Sequence, residues 1–590
     1  MQNIYFVCCL LFCGNSLFSQ AQFDKDTIHS KPNIVLILVD DAALMDFGVY
    51  GGEAYTPHID QLANNGTIFT HYRSSLMCAP ARSMLLTGYD SHLTGVPNLP
   101  LFTPPEYASK PGYEGILNND VMTVATRLKR QGYQTYITGK WHLGHTNETL
   151  PTRRGFDRSY ILDSSGADNY EHRPYLPSQS EVPWYKDGEP IDLPEDFYSS
   201  RNLVDEMIQI MDEETEVDNP FFAFISFQAI HIPVQAPKEF TEKYIDVYAK
   251  GWDVIKQKRF ETAKQLGFIP EDASLAKMLD VLRKWDDLDD ETKYFYAKAM
   301  AVNAGMLEAM DLHIGRYISY LKKQGKFDNT VFIITSDNGP EASSAGDIKS
   351  MQYWLKYVDY NRNVETLGEK GSFNYIGPEF ASAAAGPSAF FKFYAGEGGL
   401  RVPLIFSGKG IPSHESKSAF ARVTDITPTI LTLAGVDKPT LAPAGPMTGR
   451  SLTPVLDGSQ DFVYDEHEPL GIEAAGHAAL YKGNYKLVRN GLSYGDSKWK
   501  LYDISIDPGE TTDLSITKPD LFAEMNQHYT DYINEVGVLT MPEAYEPLLE
   551  IQKKMVAKIK QAAMPWIIGL LLLILDIFLW RQRKTRICVS

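Results

Sequence analysis

Two pairs of oxygen-bearing side chains stand where this sequence could hold a metal ion. Asp40 and Asp41 follow one long aliphatic run, and Asp337 and Asn338 follow another. Their carboxylate and amide oxygens are the hard ligands that Ca²⁺ and Mg²⁺ prefer, and no sulfur or imidazole accompanies them. Each pair alone also fits an Asx turn or a helix N-cap. Adjacent carboxylates repel each other, however, so a cation favours the Asp40-Asp41 pair.

Basic side chains follow two further apolar stretches. Lys140 and His142 come after a weakly apolar stretch, and His231 comes shortly after a stronger one. Taken singly, such a histidine is more often a core or turn residue, and such a lysine is a solvated surface cation. If the fold brings them to the same edge as the acidic pairs, they give an acidic protein a cationic pocket for an anion.

The segment around Cys78 has the pattern of a thiol at the start of a helix. Pro80 suits the first helical position and Gly88 suits the residue after the last turn. Cys78 would then lie at a helix N-terminus, where backbone N–H groups favour negative charge, with Arg82 one turn further on. By itself this pattern indicates either an activated thiol beside a cation or a small buried hydrophobic residue.

Cysteine usage excludes an intramolecular disulfide in the body of the protein. Of the five cysteines, three lie in the first apolar stretch and one lies three residues from the end, so Cys78 is the single thiol between them. The body is therefore held by its core and by any metal that it binds.

The elements that must position these residues alternate between strands and helices. Continuous aliphatic runs predict buried parallel strands, and amphipathic segments between them predict helices. We expect strands at 34–39, 133–138, 221–227 and 331–336, and helices at 123–131, 203–211 and 294–325. Such alternation is typical of an α/β doubly wound sheet, in which ligands bind beyond the carboxyl ends of the strands.

Composition excludes several classes of protein. The 590 residues are 44% hydrophobic and 22% charged, which argues against collagen-like, disordered and polytopic membrane proteins. Fifty-six basic residues against 75 acidic residues give a net charge of −19. A nucleic-acid partner, which binds largely through neutralisation of its phosphates, is therefore not expected.

Both ends of the chain look like targeting segments. An apolar stretch followed by Ser19-Gln20-Ala21 predicts an export signal peptide at 1–21, although no basic residue follows Met1 closely. Residues 562–580 form an apolar run broken only by Asp576, and 19 residues at 1.5 Å each span roughly 28 Å, enough for a bilayer core. Flanking tryptophans and a basic tail at 581–590 predict a membrane anchor. Because lysines also flank the other side of the run, the expected signal peptide is what places the body outside and the tail in the cytoplasm.

The segment at 549–561 carries four lysines and is expected to be a basic stem along an anionic bilayer surface, namely Lys553, Lys554, Lys558 and Lys560. Truncation before Glu550 is then expected to release soluble, active protein. Two alternatives for the apolar run are a buried core helix and a sorting signal that is later removed.

Taken together, the motifs resemble the formylglycine-dependent, type I sulfatase family of the alkaline phosphatase-like superfamily. Cys78-Ala79-Pro80-Ala81-Arg82 with Leu86-Thr87-Gly88 resembles the family signature, with Ala81 where Ser is more frequent. Further segments match in the family's order from about 31 to 457, namely 33–41, 139–144, 336–339 and 397–403. The resemblance implies a large, mostly parallel mixed sheet sandwiched by helices as a catalytic domain at 31–459, and a small antiparallel-sheet subdomain at 460–548.

The resemblance also implies a mechanism and its residues. In the family, the signature cysteine is converted by a maturation enzyme into formylglycine (3-oxoalanine), whose hydrate attacks the sulfur of a sulfate ester. The matching metal ligands for one Ca²⁺ are Asp40, Asp41, Cys78, Asp337 and Asn338. The matching catalytic and substrate-binding residues are Arg82, Lys140, His142, His231 and Lys392, with Ser165, or equally Ser164, as a nearby hydroxyl.

The expected activity is that of an arylsulfatase-like sulfuric ester hydrolase that degrades a sulfated poly- or oligosaccharide. An insertion between Asn338 and Lys392 contains aromatic residues that suit stacking on a sugar ring or, alternatively, core packing, among them Tyr353, Trp354, Tyr357, Tyr360, Phe373, Tyr375 and Phe380. Two rival functions are a phosphate or phosphonate monoester hydrolase of the same superfamily and a non-catalytic, membrane-tethered binder of sulfated glycans.

Overall fold

The computed structural model describes residues 31–179, 181–214, 218–436, 442–542 and 545–587. The expected signal peptide at 1–21 lies outside the described residues, as do residues 588–590 of the expected tail. The strands are β1 Asn33–Val39, β2 Gly66–Phe69, β3 Tyr72–Arg73, β4 Gln134–Lys140, β5 Arg158–Leu162, β6 Trp184–Lys186, β7 Glu189–Ile191, β8 Phe221–Ser226, β9 Thr330–Ser336, β10 Leu404–Gly408, β11 Glu415–Lys417, β12 Ala421–Arg422, β13 Leu470–Ala474, β14 His477–Lys482, β15 Tyr485–Arg489 and β16 Trp499–Asp503. The α-helices are α1 Pro57–Asn64, α2 Cys78–Thr87, α3 Val124–Lys129, α4 Ser199–Glu213, α5 Ile245–Tyr248, α6 Trp252–Gln265, α7 Asp290–Lys323, α8 Lys349–Tyr357, α9 Gly377–Ala384, α10 Glu397–Leu400, α11 Ile426–Leu433, α12 Thr453–Leu456, α13 Pro519–Val536 and α14 Pro547–Ile587.

A ten-stranded mixed sheet forms the centre of the molecule, in the order β11-β2-β10-β9-β1-β8-β4-β5-β6-β7. Its five central strands, from β9 to β5, pair in parallel. On either side of them, β10 runs antiparallel to β9, and β6 runs antiparallel to β5. The expected α/β architecture with a large, mostly parallel sheet is therefore confirmed.

Helices cover both faces of this sheet because its central strands are apolar on both sides. Along β1, Val35 and Ile37 belong to one hydrophobic core, which also contains residues of α4 and α7. The alternate residues Ile34 and Leu36 belong to a second core, which contains residues of α2 and α11. Side chains of a strand point alternately to opposite faces, so a continuous aliphatic run needs cover on both.

A second, smaller sheet lies C-terminal to the ten-stranded sheet. Strands β13 to β16 form a four-stranded antiparallel sheet. Helix α13 packs on one of its faces through Met525 and Tyr529, which contact Leu480 and Leu487 of the sheet. The expected small antiparallel subdomain is present, and the expected boundary at 459/460 falls between α12 and β13.

The observed bounds differ from the expected ones for several elements, among them β4, α7 and α14. The strand expected at 133–138 is β4, and it extends to Lys140, which is the last strand residue rather than a residue beyond the strand. The helix expected at 294–325 is α7, which begins earlier because Asp289 caps it by accepting a hydrogen bond from the Thr292 N–H. The expected stem and apolar run form one helix, α14, which passes through Pro565 without a break.

Helix α14 contains a stretch, Leu549–Trp580, that is long and apolar enough to cross a membrane, by length and composition. None of its most apolar window is buried. The alternative of a buried core helix is therefore wrong for this segment.

Candidate active site

The sheet brings the two acidic pairs together because their strands are neighbours in register. Strand β1 pairs in parallel with β9, and Val39 is aligned with Ser336. Asp40 and Asp41 at the end of β1 therefore lie beside Asp337 and Asn338 at the end of β9. The amide nitrogen Nδ2 of Asn338 donates to Oδ1 of Asp41 at 2.7 Å, and the backbone N–H of Asp41 donates to Oδ1 of Asp337 at 3.2 Å.

These four side chains fit a hard cation. Three of their oxygens, Oδ1 of Asp40, Oδ2 of Asp41 and Oδ1 of Asn338, are buried and accept no hydrogen bond from the described residues. A buried oxygen without a partner is costly, and a cation satisfies several at once. Ligand atoms of Asp40, Asp41, Cys78 and His231 also lie within 4.8 Å of one another, so Cys78 and His231 adjoin the acidic cluster.

Three buried cations surround the acidic cluster. The Arg82 guanidinium lies 2.9 Å from Oδ2 of Asp337 and 3.4 Å from Oδ2 of Asp40. The Lys140 ammonium forms an ion pair with Asp40, and the Lys392 ammonium lies 2.7 Å from Oδ1 of Asp41. All three side chains are 1% exposed or less, so none is a solvated surface cation. The resemblance implies Lys392 as a site residue, and its ammonium lies beside the acidic cluster.

The three carboxyl groups of the site have different pKa values, because each lies near different cations. Burial by itself raises the pKa of Asp40, but the positive charges of Lys140 and Arg82 outweigh it and hold that pKa well below its ordinary value. Burial raises the pKa of Asp41 against the opposing effect of Lys392. Burial and the charge on Asp40 likewise raise the pKa of Asp337 to about 6. Asp40 is thus the carboxylate of this group whose ionised form the site favours most strongly.

Cys78 is the first residue of helix α2, and its side chain is 1% exposed. The helix begins two residues before Pro80, the expected first position, and Pro80 lies within the first turn, where its missing N–H costs no helical hydrogen bond. Burial raises the pKa of the Cys78 thiol well above its ordinary value. An unmodified Cys78 would therefore be a neutral thiol and a weak nucleophile, despite its place at a helix N-terminus.

The two expected histidines flank Cys78, and both are neutral. Burial, together with Lys140 and Arg82, holds the pKa of His142 well below its ordinary value. Burial and Lys392 do the same for His231. The Nδ1–H of His231 donates to the carbonyl of Ile232 at 2.6 Å, which leaves Nε2 facing Oδ2 of Asp41 at 3.9 Å.

Two site residues have backbone angles that favour glycine. The φ of Asp41 is 69° and that of His142 is 58°. A non-glycine residue in this region costs on the order of 1–3 kcal/mol and persists where its surroundings hold it. Each residue lies two positions after the end of a central strand, β1 or β4, so the turn that aims each side chain into the site is strained.

Ser164 and Ser165 both line the cleft that contains Cys78, so either one can be the hydroxyl expected near the site. Nε2 of Gln179 donates to Oγ of Ser164 at 2.5 Å and to Oγ of Ser165 at 3.0 Å. The hydroxyls of Ser165 and Tyr175 are 3.0 Å apart, and the Tyr175 ring packs edge-on against His231 with centroids 5.6 Å apart.

Three further residues of the site were not expected from the sequence. Glu341 forms a second ion pair with Lys392, at 2.9 Å. The Ser226 hydroxyl accepts from Arg82 at 2.5 Å and donates to the Lys140 carbonyl at 2.7 Å. Ser226 ends strand β8, so the reasoning from strand ends could have found it, whereas no local pattern marks Glu341 or the third residue, Tyr175.

A cleft of about 1040 Å³ opens onto Cys78, His142, His231 and Lys392. None of the seven aromatic residues expected from the insertion is among the described residues that line it. Phe380, Phe373 and Tyr375 are buried in the core, which confirms core packing for them. The aromatic residues that do line the cleft are Phe102, Tyr175, Phe391, Phe393, Tyr394 and Tyr494.

Comparisons with known proteins agree with this arrangement. The family model described as Sulfatase matches residues 32–436, and that described as N-sulphoglucosamine sulphohydrolase, C-terminal, matches residues 388–536. The chain is similar to an uncharacterized sulfatase of Schizosaccharomyces pombe, at 36% identity over 89% of this chain and 97% of that protein. It is also similar to an N-acetylglucosamine-6-O-sulfatase of Bacteroides thetaiotaomicron, at 26% identity over 85% of each chain.

The fold is shared with a solved structure, that of Ps i-CgsB in complex with k-i-k-neocarrahexaose. The TM-score is 0.60 at 23% identity, and the match covers 85% of this chain and 92% of that one. With the family model spanning the sheet, the acidic cluster and the Cys78 helix, this chain belongs to the sulfatase family and is a sulfatase.

Proposed function

We propose that this sulfatase releases inorganic sulfate from a sulfated carbohydrate, with Cys78 carried as formylglycine and one Ca²⁺ in the site. The observation that carries the proposal is the position of Cys78, which lies among three unpartnered ligand oxygens and three buried cations. A neutral, buried thiol has little use in such a setting, whereas an oxygen nucleophile and a sulfate anion both fit it.

Asp40, Asp41, Asp337 and Asn338 would hold the calcium ion. They supply three carboxylates and one amide oxygen, which is the donor set that Ca²⁺ needs. Bound there, the ion supplies positive charge that lowers the pKa of a neighbouring hydroxyl and stabilises negative charge on the sulfate oxygens. Formylglycine at position 78 supplies, as its hydrate, one hydroxyl for attack on sulfur and a second from which sulfate can later be expelled.

Residues on the two sides of Cys78 would then have different roles in the reaction. Arg82 and Lys140 would orient the group at position 78, because both lie on the side of Asp40 and Asp337. His142 would accept the proton that is lost when sulfate is expelled, since its lowered pKa keeps the ring neutral and its Nδ1 has no partner among the described residues.

On the other side, Lys392 and His231 would bind the sulfate, and Lys392 would supply the proton to the leaving oxygen, because the neutral His231 carries its proton on Nδ1 rather than on Nε2. Lys392 keeps its positive charge because the carboxylates of Asp41 and Glu341 outweigh the effect of burial and raise its pKa. His231 presents Nε2 toward the same space.

A carbohydrate is supported by unused polar atoms in the cleft wall. Oδ2 of Asp163 and Oε1 of Gln179 are buried, line the cleft and accept no hydrogen bond from the described residues. Such acceptors suit sugar hydroxyls, each of which can donate one hydrogen bond. The relative from Bacteroides thetaiotaomicron, named for a sulfated amino sugar, supports the same substrate class.

Sulfate release from a panel of sulfated sugars, measured beside an aryl sulfate and an aryl phosphate, tests the proposal. Protein made with a formylglycine-generating enzyme should release sulfate, and Cys78→Ala should release none. Mass spectrometry of the Cys78 peptide should show the aldehyde. Full activity with an intact cysteine, or faster release of phosphate than of sulfate, would contradict the proposal. Tight binding of sulfated glycans without turnover would favour the non-catalytic binder.

A further inference from the structure

The first turns of helix α14 lie on the wall of the active-site cleft. Ile551, Gln552, Lys554 and Met555 line the same cleft as Cys78 and His142. They belong to the helix that continues into the apolar stretch near the end of the chain. The sequence predicts only a basic stem here, with no part in the site.

Polar contacts tie this part of the helix to the loop 99–103, which forms the adjoining wall. The Lys554 ammonium donates to the carbonyl of Leu101 at 2.9 Å and to that of Thr103 at 3.4 Å. The Tyr545 hydroxyl, just before the helix, donates to the carbonyl of Phe102 at 3.0 Å. Three hydrogen bonds to successive carbonyls hold helix and loop in one arrangement.

Apolar contacts reinforce the same junction. Ile551 is 8% exposed and belongs to the hydrophobic core that contains Phe102. Met555, one turn later on the same face of the helix, packs against this core from the cleft side. The helix also packs beside α8 of the insertion. The segment is therefore docked on the catalytic domain and is not a free spacer.

Only part of the expected basic stem faces solvent. Lys553, Lys558 and Lys560 are exposed, as a stem along an anionic surface requires. Lys554 is half-buried against the loop, which corrects the expectation for this residue because its charge is used within the protein.

We propose that residues 551–555 are a specificity-determining wall of the cleft, which contacts the part of the substrate that carries the sulfate group. The inference rests on the proposed carbohydrate substrate. Ile551, Met555, Leu101 and Phe393 make one side of the cleft apolar, whereas Ser164, Ser165 and Gln179 make another side polar. A sulfated pyranose has a C–H face for the first and a hydroxyl edge for the second.

Full-length protein in detergent, matured at Cys78, provides the test. Met555→Trp narrows the cleft, and Met555→Ala widens it. We measure kcat/KM for a small aryl sulfate and for a sulfated disaccharide, and we compare their ratio between variants. Met555→Trp should lower the disaccharide-to-aryl ratio by about tenfold or more, since a pocket discriminates a small steric change by about 10- to 200-fold. Met555→Ala should raise the disaccharide-to-aryl ratio or leave it unchanged.

Lys558→Ala is the matched control, because Lys558 is exposed and does not line the cleft among the described residues. It should leave both values of kcat/KM unchanged. An unchanged ratio in Met555→Trp, with the thermal midpoint of the full-length protein preserved, would overturn the proposal. Lys554→Ala provides a second measurement. It should raise KM for the disaccharide and retain kcat, because it removes the hydrogen bonds between the helix and the loop 99–103 and leaves the reacting groups in place.

A failure of the proposed substrate is a separate outcome. If the wild-type protein cleaves aryl sulfates but no sulfated sugar, the carbohydrate proposal is wrong. The wall is then tested with the same variants on aryl sulfates of increasing ring size, where Met555→Trp should still disfavour the larger esters.

Discussion

Asp337 belongs both to the cation cluster and to the expected metal site. Its Oδ2 accepts a hydrogen bond from Arg82 at 2.9 Å, and its Oδ1 accepts one from the backbone of Asp41 at 3.2 Å. Its loss therefore leaves a buried guanidinium with one carboxylate, Asp40, and removes one calcium ligand. A buried charge that loses its partner is strongly destabilising.

Asp337→Asn should remove bound calcium, activity and the calcium-dependent part of thermal stability together. A ligand bound only by the folded state adds about 2.7 kcal/mol to stability at 100 times its Kd. Metal analysis and thermal unfolding with and without EGTA check this. Asp311→Asn is the control, because Asp311 is an equally buried carboxylate that accepts backbone hydrogen bonds from His58 and Ile59. It should lower stability but keep the response to EGTA. A calcium content unaltered in Asp337→Asn would show that the ligands are misassigned.

At the scale of elements, a buried histidine joins the C-terminal subdomain to the catalytic domain. His92 lies between Asp90, at 3.1 Å, and Glu473 of β13, at 2.9 Å. The Tyr532 hydroxyl of α13 donates to the same Asp90 at 3.0 Å. Burial by itself lowers the pKa of His92, but the hydrogen bonds to Asp90 and Glu473 outweigh it and raise that pKa to about 9.

Stability should therefore fall as the pH rises through about 9. Because the pKa of His92 is higher in the folded state than in the unfolded state, its contribution is complete below about pH 6.5 and disappears above the folded-state pKa. The loss is on the order of 2–4 kcal/mol, from about 1.4 kcal/mol per pKa unit. His92→Gln should lower the thermal midpoint near neutral pH and flatten its decline between pH 6.5 and 9.

His313→Gln is the control for this pH profile. Burial lowers the pKa of His313 to about 4, so its contribution is present at high pH and disappears on acidification. The alkaline decline should persist in this variant. An equally steep decline in His92→Gln would mean that another group is responsible.

At the scale of the whole molecule, the apolar part of α14 exposes a large surface that the other described parts of the chain do not bury. Large apolar side chains from Ile567 to Trp580 are each exposed by 44% or more. An apolar surface of this extent marks a membrane or protein contact. We propose that it anchors an exported body to a membrane, with the catalytic face on the non-cytoplasmic side.

Fractionation of cells tests this location. The full-length chain should remain with membranes after a high-salt wash, because the anchor is apolar rather than electrostatic. Truncation after Gln561 should give soluble protein that keeps both activity and selectivity. Full-length protein found soluble at its whole mass would exclude an anchor, and soluble protein shortened by the tail would favour a sorting signal.

The position of the truncation now matters, contrary to the expectation from the sequence. Truncation before Glu550 is expected from the sequence to be harmless, since the matching catalytic residues lie far upstream. The structure places Ile551, Lys554 and Met555 on the cleft wall, so removal of 550–561 should alter substrate selectivity as well as solubility. The measurement that checks this is the disaccharide-to-aryl ratio of kcat/KM, compared between the truncation before Glu550 and the truncation after Gln561.

The sequence by itself determined the central strands of the sheet and the reactive edge, whereas the outer strands of the sheet were not predicted. Continuous aliphatic runs such as 34–39 and 331–336 can be buried on both sides only as central strands, so the polar residues that end them meet at one edge. The Cys78 signature adds a helix whose start is predictable to within two residues. These signals are local, because propensity and periodicity act between near neighbours along the chain.

Only the tertiary structure decided which distant residues complete the site. Glu341 beside Lys392, Tyr175 against His231 and Met555 on the cleft wall come from loops and from a helix far away in the chain. The aromatic residues of the insertion show the converse, since Phe373 and Phe380 look suited to a sugar and are instead buried in the core. No periodicity encodes such contacts, because they depend on how separately formed elements pack against one another.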